Sequence, residues 1–89
     1  MHRGTLLELT AQRASLDPKL TIYAAEPWSP ATRAVAALEP DDGSVPEVAM
    51  AERCCYFLEV SIAHEVLEGW RGSELEACHR LIQYAVSDA

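Results

Sequence analysis

The chain has no apolar run near the roughly 20 residues that a membrane-spanning helix needs, so a transmembrane role is not expected. Basic residues are scarce: six arginines and one lysine face fourteen Asp and Glu, for a formal charge of −7. That balance lacks the cationic footprint that phosphate neutralisation requires, and it argues against nucleic acid as a partner. Only four glycines occur, scattered at Gly4, Gly43, Gly69 and Gly72, and they build neither GxGxxG nor a Walker loop. Cysteine is present three times, at Cys54, Cys55 and Cys78, an odd number with no CxxC spacing. Neither a disulfide framework nor a zinc knuckle follows from that pattern.

The opening residues, MHRGTLLELTAQ, turn polar too early for a signal peptide, so a cytoplasmic protein with reduced thiols is expected. With 89 residues and 49% apolar content, one domain spanning residues 1–89 is the natural unit. A chain of this size buries only about 60–65% of its unfolded surface. The acidity is uneven. Residues 1–19 balance Arg3, Arg13 and Lys19 against Glu8 and Asp17, whereas residues 20–60 set Arg33 and Arg53 against Glu26, Glu39, Asp41, Asp42, Glu47, Glu52 and Glu59. A negative field centred on the middle of the chain keeps a small protein soluble and steers a basic partner.

Local patterns predict the elements. Thr5 and Glu8 form a capping box in front of Leu6, Leu9 and Leu16, which predicts a helix over about 5–14, ended by Asp17-Pro18. Leu20–Ala25 and Thr32–Leu38 read as strands separated by a proline-rich connection. Pro40-Asp41-Asp42-Gly43-Ser44 is a turn, and Pro46 opens a short helix to Arg53. Cys55–Val60 alternates as a third strand, which sends Tyr56, Leu58 and Val60 to the core and Cys55, Phe57 and Glu59 to the other face. Ser61 is the expected cap of a helix carrying Ile62, Ala63, Val66, Leu67 and Trp70 on one side. Ser73 and Glu76 form a second capping box before Leu75, Cys78, Leu81, Ile82 and Ala85. The expected fold is α+β in the order α-β-β-α-β-α-α: a three-stranded, mainly antiparallel sheet with four helices and a C-terminal helical hairpin. Helices over one sheet face leave the other face, and the outer strands, available to a partner.

Four patches, Trp28-x-Pro30, Pro40-Asp41-Asp42-Gly43-x-x-Pro46, Tyr56-Phe57-Leu58-Glu59-Val60-x-Ile62-Ala63 and Cys78-x-Arg80-Leu81-Ile82-Gln83-Tyr84-Ala85, form an ensemble over residues 20–89. It resembles a group of small, acidic, uncharacterised bacterial proteins classed as a domain of unknown function. The resemblance implies a bacterial, cytoplasmic setting and carries no activity with it.

No catalytic residue, cofactor or metal is expected. Zinc would need four nitrogen or sulfur ligands in a tetrahedron, whereas the neighbours Cys54 and Cys55 diverge on a strand, and Cys78 and His79 diverge on a helix. No cysteine or serine is spaced to meet a histidine held by a carboxylate. The Asp41-Asp42-Gly43 turn lacks the oxygen ligands and closing glutamate of a calcium loop. The reading that remains is a non-catalytic protein-interaction module, an immunity- or antitoxin-type protein being one concrete form. Its contact residues are expected to be Trp28, Asp41, Asp42, Glu47, Glu52 and Phe57, because aromatic anchors dominate interface energetics and charge steers encounter. The partner would be a basic protein. A second copy of the chain is the other protein partner to weigh, since an exposed strand edge invites symmetric pairing. The competing reading is an enzyme or small-ligand protein using His64, Glu68, His79 and Tyr84 on the last two helices.

Overall fold

The structure, a computed structural model, describes residues 1–88; Ala89, which the single-domain expectation includes, lies outside them. The fold is α+β, with a four-stranded antiparallel sheet and four α-helices. The strands are β1 (His2–Thr5), β2 (Thr21–Ala24), β3 (Arg33–Ala37) and β4 (Cys55–Glu59), in the spatial order β1-β3-β2-β4. The α-helices are α1 (Leu6–Ala11), α2 (Glu47–Ala51), α3 (Val60–Val66) and α4 (Glu74–Asp88), and a 3-10 turn covers Arg13–Ser15.

The expected three strands become four because His2–Thr5 pairs along β3, from His2 opposite Ala36 to Thr5 opposite Arg33. HRGT has no alternation and a single β-branched residue, Thr5, at its end, and pairing with β3 confers its extended form. Thr5 ends the strand and caps α1. Its hydroxyl accepts from the Glu8 amide at 3.1 Å, and the Glu8 carboxylate accepts from the Thr5 amide at 2.7 Å. The capping box expected here is thus present, although the helix is shorter than 5–14 and passes into the 3-10 turn. Gly4 makes the close approach possible: a Cβ there would sit 2.9 Å from Glu8 Oε1.

One sheet face carries Ile22, Ala24, Ala34 and Ala36, and on it pack Leu6, Leu9, Val60, Ala63, Cys78 and Leu81 from α1, α3 and α4. The other face is not open, contrary to the sequence expectation. Tyr23, Val35 and Ala37 are buried there with Ala49 and Cys54, and Val45 and Val48 pack at the margin. The chain from the acidic turn through α2 therefore closes the second layer. α2 ends in paired bonds, Cys54 N–H to the Ala49 carbonyl at 2.9 Å and Arg53 N–H to the Met50 carbonyl at 3.0 Å. That is a Schellman turn with Arg53, at φ 58°, in the place glycine usually takes.

Strict alternation fails in β4. Ile22 faces Leu58 and Tyr23 faces Tyr56, so Phe57 is the extra residue of a β-bulge. The bulge resets the period: Phe57 and Leu58 both join the principal core, while Tyr56 stands on the other face, edge-on to Tyr23 with ring centroids 6.5 Å apart. The faces expected for Tyr56 and Phe57 are thereby exchanged. Val60 donates its amide to the Leu20 carbonyl at 3.0 Å and is already the first helical residue, so Glu59, not Ser61, is the N-cap of α3. α3 is correspondingly earlier and shorter than expected. α4 packs chiefly on α1, tied there by the Arg13–Glu74 ion pair, and only secondarily on α3. α3, the expected hairpin partner, thus keeps contact with α4, while the N-terminal helix is its larger neighbour. No helix among the described residues is long and apolar enough to cross a membrane.

Candidate interaction surface

Segment 38–50 runs from the end of β3 through the acidic turn to α2. Its turn is held locally: Asp42 Oδ1 accepts from the Ser44 amide at 2.9 Å, the Gly43 amide donates to the Pro40 carbonyl at 2.9 Å, and Gly43 takes φ 77°. Such an Asx arrangement is what aspartate and glycine provide at a turn. Ser44, through its hydroxyl and its amide, holds the Asp42 carboxyl below its ordinary value, so its charge persists well into mild acid. Glu39, Asp41, Asp42 and Glu47 are all exposed, and none is ion-paired among the described residues. At the two ends of the same segment stand two apolar side chains, Leu38 at 65% and Met50 at 63% exposure.

The residues expected to form the contact divide accordingly. Asp41, Asp42 and Glu47 share this exposed segment. Glu52 sits beyond it, partly buried, 3.5 Å from the Arg33 Nε. Phe57 is 2% exposed, and in this structure it offers no surface to a partner. Trp28 is half-buried: its ring meets Phe57 edge-on at 4.9 Å, and its indole N–H donates to the Ala24 carbonyl at 3.2 Å. Both aromatics expected as anchors thus pack together over the principal core. Leu38, just after β3, and Met50, on α2, are exposed apolar side chains of this segment, and no local sequence signal announces them.

The residues of the competing reading do not converge. His64 Nε2 lies 2.7 Å from the Arg13 carbonyl and ties α3 to the turn after α1. Glu68 and His79 are exposed, and Tyr84 packs against the core. The thiols also point apart: Cys54 toward the Arg33 carbonyl at 3.4 Å, Cys55 toward Glu26 Oε1 at 3.2 Å, with Cys78 fully buried on α4. Burial pushes all three thiols above their ordinary value, assisted by Glu52 at Cys54 and by Glu26 at Cys55. Protonated thiols are weak nucleophiles and weak ligands. Among the described residues no three His, Cys, Asp or Glu side chains gather as a metal site.

A second surface feature lies at the β1 edge. A depression of about 430 Å³ is lined by Arg3, Gly4, Thr5, Glu8, Ala31, Arg33 and Glu52. It unites residues from β1, α1, β3 and the end of α2, and nothing in their sequence spacing announces the cluster.

No family model, curated protein or solved structure matches the chain.

Proposed function

We propose that this protein is a non-catalytic interaction module of the bacterial cytoplasm whose segment 38–50 docks a basic protein. One observation carries the reading: segment 38–50 holds four exposed carboxylates with no ion pair among the described residues together with the exposed Leu38 and Met50, on either side of a turn fixed by its own hydrogen bonds. Apolar side chains framed by one sign of charge combine a desolvated contact with long-range steering. A preformed turn lowers the ordering cost of binding. A neutralising protein, of the immunity or antitoxin kind, is one form that such a module takes.

The test is capture of bound protein from the source cells by wild type and by the Asp41→Asn/Asp42→Asn/Glu47→Gln variant, at low and high salt. The expected result is one basic protein held by wild type, lost from the variant and lost between about 0.05 and 0.5 M salt, where screening shortens the reach of surface charge. Retention of the same protein by the variant, or indifference to salt, overturns the reading. Glu68→Gln, exposed in the turn after α3, serves as the control that leaves binding intact. Sedimentation of the protein alone separates this outcome from self-association.

A further inference from the structure

The depression at the β1 edge has a charge pattern unlike the rest of this acidic chain. Its wall holds two guanidinium groups, Arg3 and Arg33, and two carboxylates, Glu8 and Glu52, so it is locally neutral. Each group is differently engaged. Arg33 meets Glu52 only through Nε, at 3.5 Å, and 63% of its side chain stays exposed. Glu8 uses Oε1 on the Thr5 amide. Arg3 makes no ion pair or side-chain hydrogen bond among the described residues. Gly4 and Ala31 supply little side-chain bulk, which keeps the space between the charges clear.

That pattern discriminates by charge. A simple anion drawn to Arg3 and Arg33 meets two carboxylates, and a simple cation drawn to Glu8 and Glu52 meets two guanidinium groups. A molecule bearing both signs a few ångströms apart satisfies all four. Planar guanidinium suits a carboxylate bidentately, and a carboxylate accepts readily from an ammonium group. The volume of about 430 Å³ falls in the usual range of small-molecule sites. We infer that this depression binds a small zwitterion of the amino-acid class, with its carboxylate on Arg3 and Arg33 and its ammonium group facing Glu8 and Glu52. The site is separate from segment 38–50 and does not depend on the function proposed for it.

Amide NMR of the labelled full chain tests the inference, with glycine, leucine, glutamine and glycylglycine as probes. The expected result is saturable shifts of the Arg3, Gly4, Thr5 and Arg33 amides with at least one of them. For the tightest probe, blocking the amine by acetylation or the carboxylate by amidation weakens binding at least tenfold. Arg3→Gln, exposed, and Glu52→Gln, partly buried, each weaken it at least tenfold while the remaining spectrum stays in place. Absence of saturable shifts with all four probes overturns the inference. So does equal binding of the blocked forms, or equal binding by either variant.

Discussion

The two faces of the sheet are covered in different ways. On the principal face lie α1 and α4, each opened by a capping box, Thr5 with Glu8 and Ser73 with Glu76, and the apolar cluster beneath is large and continuous. The second face is closed by five-residue α2, which has no side-chain cap, ends on a left-handed Arg53 and covers a small cluster. One face is thus built for stability. The other carries the acidic turn and the exposed apolar side chains on a thin cover, which marks it as the less stable of the two.

The widest gap between the faces should appear on truncating one side chain from each. Phe57→Ala removes a buried ring and its contact with Trp28, at a cost of about 3–5 kcal/mol. Val48→Ala, at the margin of the second face, should cost less than about 1.5 kcal/mol, near the lower end of core truncations. Urea unfolding of the two variants gives the comparison directly, and equal losses would remove the distinction. Tyr23→Phe sharpens it with the opposite sign. The Tyr23 hydroxyl is buried and makes no hydrogen bond of ordinary geometry among the described residues, and burial, with Glu39 nearby, pushes the phenol above its ordinary value against a weaker opposing pull from the Thr21 hydroxyl. Deleting that hydroxyl should raise stability by about 1 kcal/mol.

Arg53→Gly should stabilise α2 by up to about 1 kcal/mol, since glycine takes φ near +58° without the strain that a Cβ brings. A rise in melting temperature of a few degrees would show it. The smallest effect belongs to acid. Glu76 accepts from the Ser73 amide at 3.0 Å, and that amide, with the Ser73 hydroxyl, lowers its carboxyl from the ordinary value. A folded-state value below the unfolded one means that the unfolded chain binds more protons. The contribution is therefore present above about pH 4.3 and fades as pH falls through the lower, folded-state value. Melting of wild type and Glu76→Gln should differ at pH 7 and converge toward pH 3, while melting of α2, which has no such cap, shows no matching change.

Much of this architecture is legible in the chain because its signals are local. Both capping boxes, the Pro40–Ser44 turn and strands β2 and β3 follow from neighbouring residues alone. What escapes depends on distant partners. β1 is a strand because β3 lies beside it, and the Phe57 bulge exists because β4 must pair with β2 and also enter α3 without a loop. α4 packs more on α1 than on α3, a choice made between elements far apart in sequence. The acidic segment was readable from charge density, whereas the Arg3–Arg33 depression forms only when strand pairing brings the two residues to one edge.

The Thr5–Glu8 box has a consequence beyond helix stability. In the register of β1 the Leu6 amide turns inward to the Thr32 carbonyl, at 2.8 Å, so the Thr5 amide before it points away from the sheet, where the Glu8 carboxylate occupies it. A bare edge amide is a template for a further strand. Here the group that starts the helix also stoppers the sheet, because the Glu8 carboxylate takes up the one Thr5 donor that an added strand would otherwise use.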